Sequence, residues 1–127
     1  MSEQRLPLAE GLHAPAEARA WVAGALPLLP TAVTDDVLLV VSELVTNAVR
    51  HGGASIELAL TVLPDRVRVA VSDSGATLPV VAPGQPAVDR PTGRGLLIVA
   101  ATARDWGVDR GGTRPGKTVW AEVVRPL

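Results

Sequence analysis

The 127-residue chain carries 12 Lys and Arg against 13 Asp and Glu, a formal net charge of -1, and it contains no cysteine. This balance gives no overall attraction to nucleic acid or to an acidic membrane surface, and the missing cysteines exclude disulfides and cysteine-ligated metal sites. The length suits one domain over residues 1–127, and without a signal peptide or a long apolar run we expect a cytoplasmic protein.

The first part of the chain predicts an edge strand followed by two helices. Residues 5–8 form the candidate strand, whose proline cannot donate a ladder hydrogen bond and so belongs at a sheet edge. Pro15 suits the first turn of a helix that ends before Pro27. Thr34 is the expected N-cap of a second, largely apolar helix, which the Gly52–Gly53 pair ends.

The second part predicts a hairpin, a long loop and three further elements. Apolar side chains alternate at residues 56–62 and 67–71, and Pro64–Asp65 joins these strands into an antiparallel hairpin. Residues 74–95 show no periodicity, and a connection of this length in a compact domain is usually either a lid over a functional site or disordered. The remaining predicted elements are a helix at 96–103 and strands at 106–109 and 119–123. The pattern predicts an α+β two-layer sandwich with helices on one face of a mostly antiparallel sheet.

Two polar side chains interrupt the apolar second helix. Glu43 and Asn47 lie four residues apart, and therefore on the same helix face. Because unpaired buried polar groups are costly, this pair suggests a pocket for a cation and for a group that must lose a proton. The alternative, which this helix alone favours, is a narrow solvated stripe that also includes Asp36 and Arg50.

Asp73 has the same parity as the valines of its strand, so its carboxylate should point toward the core at the end of the strand. A carboxylate in that position needs a donor, and an exocyclic amine such as that of adenine would serve. Gly75 would let a base lie close to the backbone. The alternative is an ordinary Asp-Ser-Gly turn.

Gly93-Arg94-Gly95 precedes the third predicted helix. Glycine lets the backbone approach a phosphate, and a helix N-terminus favours an anion. The segment is therefore a candidate phosphate clamp, although two glycines around one residue also mark ordinary turns.

Residues 111–118 match the P-loop pattern G-x-x-x-x-G-K-[ST] letter for letter. A P-loop must open a helix whose N-terminus holds the phosphates, whereas residues 119–124 predict a strand. We interpret this match as a glycine-rich turn before the last strand.

Four stretches of the sequence resemble the N, G1, G2 and G3 boxes of the GHKL ATP-binding superfamily, in that order. They are Glu43-x-x-x-Asn47, Asp73-x-Gly75, Gly93-Arg94-Gly95-Leu96 and Gly116-Lys117-Thr118. Within the superfamily, residues 43–51 and 95–122 look most like bacterial anti-sigma factor serine kinases and their actinobacterial relatives. No single box is specific, but four boxes in order are.

The resemblance implies a Bergerat fold that binds ATP between helices and sheet, under a lid at 74–95. It implies that Asn47 binds the Mg²⁺ that bridges the phosphates and that Asp73 binds the adenine amine. Glu43 would be the general base that takes a proton from an incoming hydroxyl. The other implied nucleotide contacts are Arg50, His51, Gly75, Gly93, Arg94, Gly95, Leu96 and, near the adenine, Thr118.

The resemblance further implies an anti-sigma regulatory factor that phosphorylates a serine of an anti-anti-sigma partner and binds a sigma factor, and members of the family commonly form homodimers. One alternative is a switch protein that binds ATP and its partners without phosphorylating anything, and another is an interaction domain with a degenerate pocket. Thr77 stands where the G1 box often has a second glycine, which bears on lid closure and turnover more than on ATP binding. We do not expect a histidine kinase, because no helix with a phosphoacceptor histidine precedes the domain.

Overall fold

The computed structural model describes residues 2–9, 11–51, 55–75, 91–110 and 116–126, apart from the side chains of residues 2, 51 and 91–95. Within these ranges the elements along the chain are β1 (Ser2–Leu8), α1 (Ala14–Ala25), α2 (Thr31–His51), β2 (Ile56–Val62), β3 (Arg66–Asp73), α3 (Pro91–Thr102), β4 (Asp105–Asp109) and β5 (Lys117–Val124). No helix among them is long and apolar enough to cross a membrane.

The five described strands form one antiparallel sheet in the order β1-β2-β3-β5-β4. Helix α2 packs against β2, β3 and β5, and both α1 and α3 pack against α2. This arrangement confirms the predicted α+β architecture. Strand β1 lies at the sheet edge, as its proline predicts, and β2 and β3 form the predicted hairpin.

The core lies between α2 and the sheet because the buried residues of the central strands alternate. In β3 every second side chain is buried, from Val67 to Asp73, and β5 shows the same period. Leu58 and Leu60 of β2 meet Val40 and Leu44 of α2 in one apolar cluster. The period of two therefore decides which side chains face the helices.

Helix α2 begins three residues before the predicted cap. The carbonyl oxygen of Pro30 accepts hydrogen bonds from the backbone N–H groups of Val33 and Thr34, at 3.0 and 3.1 Å. Thr34 therefore lies inside the helix, and its predicted role as N-cap is wrong. Val33 is buried in the core, and packing its side chain extends the helix beyond the residue that local capping preference selects.

Helix α3 also begins earlier than the sequence predicts, at Pro91 instead of near Leu96. Proline suits the first turn of a helix because its missing N–H has no intrahelical partner there. Gly93-Arg94-Gly95 therefore belongs to the start of α3 and does not precede it.

The sheet face opposite α2 is polar, with its charges paired within the chain. The guanidinium of Arg68 lies 4.5 Å from the ring centroid of Trp120, and Arg66 donates a hydrogen bond to Glu122 at 3.1 Å. That bond raises the pKa of Arg66 above its ordinary value, although a guanidinium is charged over the physiological range in any case. A Cβ at Gly107 would lie 2.9 Å from the Trp120 indole, so the glycine makes room for this ring.

Candidate functional site

The candidate site lies where the end of α2 meets the end of β3. The chain leaves α2 at His51 and enters β2 at Ile56, whose register partner is Asp73, the last residue of β3. Asn47 lies one turn before the end of α2. The fold therefore brings Asn47 and Asp73 to the same end of the domain, although 26 positions separate them in the sequence.

Asn47 is buried, with 2% of its surface exposed, and neither Oδ1 nor Nδ2 has a hydrogen-bond partner in the part of the chain that the structure describes. Leaving a buried polar group unsatisfied costs about 1–3 kcal/mol. Asp36 and Arg50 are exposed and Glu43 is half-buried. The solvated-stripe interpretation is therefore wrong for Asn47. A ligand that pairs with the Asn47 amide would remove the free-energy cost of leaving it unsatisfied.

Asp73 is buried, as its parity predicts, and its two carboxylate oxygens have different surroundings. Oδ1 accepts a hydrogen bond from the Gly75 backbone N–H at 2.8 Å and another from Lys117 Nζ at 3.0 Å. Oδ2 is buried without a partner among the described residues. One acceptor of this carboxylate therefore remains for a donor that the described residues do not supply.

Lys117 is the site residue that the sequence analysis missed. It is the register partner of Asp73 across β3 and β5, and only 1% of each side chain is exposed. A buried lysine requires a compensating charge, which the Asp73 carboxylate provides. Parity would have identified it, because Lys117 is in phase with the buried residues Val119 and Ala121, as Asp73 is with its valines.

Thr118 lies on the other face of the sheet. Its hydroxyl shares a hydrogen bond with that of Ser72, with 2.7 Å between the two oxygens, and both residues alternate with the buried ones. Lys117, and not Thr118, is therefore the β5 residue beside Asp73. Both Lys117 and Thr118 lie within strand β5. A P-loop would place these two residues at the start of a helix, so the structure agrees with the predicted last strand and not with a P-loop.

Gly116 lets β5 begin directly beside the end of β3. Its φ of +117° is rare for L side chains, and a Cβ there would overlap the carbonyl oxygen of Asp73. We expect Gly116→Ala to lower the free energy of unfolding by at least about 2 kcal/mol, which urea denaturation followed by circular dichroism would measure.

Gly24 provides the matched control for that substitution. It lies in α1, and a Cβ there meets nothing within 4 Å. Gly24→Ala should stabilise the protein by roughly 0.5–1 kcal/mol because alanine is the better helix former. Equal effects of the two substitutions would contradict the steric explanation.

For the predicted phosphate clamp, Gly93-Arg94-Gly95, the structure describes the backbone and not the side chains. Gly93 lies in the first turn of α3, where backbone N–H groups lack intrahelical acceptors, whereas Gly95 is the fifth residue of the helix and the Pro91 carbonyl is the intrahelical acceptor for its N–H. Leu96 is buried in the core, with 1% of its surface exposed. The contacts of this segment with phosphate stay a prediction.

Several predictions fall outside the described residues. They concern most of the lid at 74–95, of which residues 76–90 are not described, the Gly52–Gly53 helix stop, and the turn at 111–115. The side chain of His51 is not described either. These predictions stand as they were made.

A cleft of about 480 Å³ opens at this end of the sheet. Its lining residues are Pro7, Leu8, Ser55, Ile56, Glu57, Ser72, Asp73 and Ser74. It reaches Asp73 from the β1–β2 side, and Asn47 is not among the described residues that line it. The described residues also hold no group of three or more His, Cys, Asp or Glu side chains arranged as metal ligands.

The sequence of this chain matches the histidine kinase-like ATPase domain family over residues 9–123. The chain therefore belongs to this family of GHKL-type ATPase domains. An uncharacterized protein of Streptomyces coelicolor is 37% identical over 76 residues, which cover 58% of this chain and 72% of that protein.

Solved structures of histidine kinases share the fold. The histidine kinase domain of the blue-light activated histidine kinase from Erythrobacter litoralis EL346 superimposes with a TM-score of 0.54 at 25% identity, covering 74% of this chain and 45% of that one. The histidine kinase AdeS of Acinetobacter baumannii gives a TM-score of 0.50 at 15% identity, over 100% of this chain and 70% of that one. This chain thus spans less than half of the Erythrobacter structure. The family implies that this domain binds ATP.

Proposed function

We propose that this protein is an ATP-binding anti-sigma regulatory factor that transfers a phosphoryl group from Mg-ATP to a serine of an anti-anti-sigma partner. One observation carries the proposal: the Asn47 amide and the Asp73 Oδ2 atom are buried, have no hydrogen-bond partner among the described residues, and lie at the same end of an ATPase-type domain. Both are costly in the ligand-free protein, and Mg-ATP has a complementary group for each.

The side chains of Asn47 and Asp73 offer oxygen atoms that fit the nucleotide and its cation. Asp73 Oδ2 accepts only, which suits the exocyclic amine of adenine. The Oδ1 atom of Asn47 is a hard oxygen ligand of the kind that Mg²⁺ prefers, and Mg²⁺ is commonly held by few protein ligands together with phosphate oxygens. When bound, Mg-ATP supplies a phosphoryl group whose negative charge is partly neutralised.

Glu43 is our candidate for the catalytic base. It lies one helical turn before Asn47 on the same face of α2 and is half-buried, which leaves part of its side chain accessible to a substrate. Its role is to take the proton from the serine hydroxyl as that oxygen attacks, while Asn47 helps to position the phosphates.

The proposed partners are a sigma factor and an anti-anti-sigma protein, and a homodimer is the proposed assembly. This part of the proposal is supported by the resemblance of residues 43–51 and 95–122 to the anti-sigma factor serine kinases. The near-neutral charge favours protein partners over nucleic acid or membrane, and a cytoplasmic location suits such partners.

The test combines nucleotide binding with phosphotransfer. We expect a fluorescent ATP analogue to bind with at least about tenfold higher affinity in Mg²⁺ than in EDTA, a difference of about 1.4 kcal/mol. Radiolabelled ATP should then label a serine of an anti-anti-sigma protein encoded in the same genome. Binding without labelling of any such protein would support the non-phosphorylating switch instead, and no binding to the folded protein would overturn the ATP site.

A further inference from the structure

The geometry points to Lys117 as a positioning residue that aims Asp73 Oδ2 at the base and makes the site select a 6-amino purine over a 6-oxo purine. The inference rests on the proposed function in one respect, namely that this site binds a purine nucleotide. It adds a specificity role for a residue whose side chain is buried behind Asp73.

The first step is the unequal use of the two carboxylate oxygens. Both donors that the described chain offers, Lys117 Nζ and the Gly75 N–H, converge on Oδ1 at 3.0 and 2.8 Å. No described donor reaches Oδ2, which is also buried. The carboxylate is thus held from one side, and its other side is left for a ligand.

The second step is the chemistry of the lysine. An ammonium group donates only, so the atom that faces Lys117 must be an acceptor. The pair is almost completely buried, and the ammonium compensates the carboxylate charge where water cannot. The free oxygen is therefore an acceptor aimed at the base. It complements a 6-amino group and opposes a 6-oxo group, which presents a second acceptor.

The third step is that packing does not require a lysine here. Lys117 occupies a buried position of β5 in phase with Val119, Ala121 and Val123, where an apolar residue would fit the pattern. A buried ion pair is often no more stable than apolar residues of similar volume. A role in orienting Asp73 accounts for the lysine where stability does not.

The experiment compares ATP with ITP, which differ only in the 6-amino or 6-oxo group, by competition against a fluorescent ATP analogue. The wild type should prefer ATP by at least about 30-fold, because opposing acceptors are left unpaired in the ITP complex. In Asp73→Asn, Lys117 and the Gly75 N–H are both donors, so the amide oxygen must face them and the amide NH₂ group must face the base. This variant should reverse the preference and bind ITP more tightly than ATP.

The double variant Asp73→Asn/Lys117→Met isolates the lysine. Only the Gly75 N–H then orients the amide, so the two nucleotides should bind within about threefold of each other, a difference below 1 kcal/mol. The role of Lys117 would be overturned if the double variant preferred ITP as strongly as Asp73→Asn does. It would also be overturned if Asp73→Asn lost affinity for ATP and ITP equally. Failure of the wild type to bind either nucleotide would overturn the proposed function and this inference together.

A measurement on the unchanged protein covers the case in which a variant does not fold. In ¹⁵N-lysine-labelled wild type, the buried Lys117 ammonium should give a signal protected from exchange, and ATP should shift it more than ITP does. Absence of a protected lysine ammonium signal, or equal shifts with both nucleotides, would overturn the inference. A protected signal with the expected selectivity supports it.

Discussion

Asn47→Leu is expected to remove the Mg²⁺ dependence of nucleotide binding and, at the same time, to stabilise the ligand-free protein. The native amide is buried with neither polar atom paired among the described residues, so its removal relieves a desolvation cost. We expect a gain of about 1–2 kcal/mol in the free energy of unfolding, within the range for buried unsatisfied groups. The affinity for Mg-ATP should fall on the order of 100-fold, which corresponds to roughly 3 kcal/mol.

Urea unfolding without nucleotide and titration with the fluorescent ATP analogue measure the two effects. Thr61→Val is the matched control, since it also replaces a polar side chain with an apolar one but lies in β2, toward the end of that strand away from Asp73. The control should change neither stability by more than about 0.5 kcal/mol nor binding. Retained Mg²⁺-dependent binding in Asn47→Leu would remove Asn47 from the cation site.

Glu43→Gln is expected to lower phosphotransfer by about 10²–10⁴-fold, the usual contribution of a general base, while nucleotide binding changes little. Glutamine keeps the size of the side chain and loses the ability to accept the proton from the serine hydroxyl. Single-turnover transfer of labelled phosphate to the anti-anti-sigma partner measures the rate, and the fluorescent titration measures binding.

Glu17→Gln serves as the control for this charge change, because Glu17 is an exposed carboxylate of α1. It should leave both transfer and binding unchanged. If Glu43→Gln transfers phosphate at the wild-type rate, Glu43 is not the base. If it loses nucleotide affinity as strongly as Asn47→Leu, its role is in binding and not in proton transfer.

Features that follow from local periodicity could be predicted from the sequence. The alternation in β2 and β3 predicted the hairpin and the inward direction of Asp73, because side chains of a strand alternate between its faces whatever the rest of the chain does. The same rule applied to β5 would have marked Lys117. The strand after the P-loop-like segment was equally local.

The start of α2 was decided by tertiary packing. Thr34 has better capping chemistry than Pro30, yet α2 begins at Thr31 because Val33 is buried against the core. The bonds from Val33 and Thr34 to the Pro30 carbonyl are local, but the burial of Val33 depends on where the helix lies in the fold. A capping preference is worth about 1 kcal/mol, which the burial of one valine side chain offsets.

The site itself was decided by the order of the strands. Asp73 and Lys117 meet only because β5 inserts between β3 and β4, and 44 positions of chain separate the two residues. Local periodicity predicts the direction of each side chain but not its partner, since strand pairing over such separations depends on the whole core. For the same reason the sequence could place Asn47 on a helix face, whereas its burial with no partner among the described residues depends on the packing of α2 against the sheet.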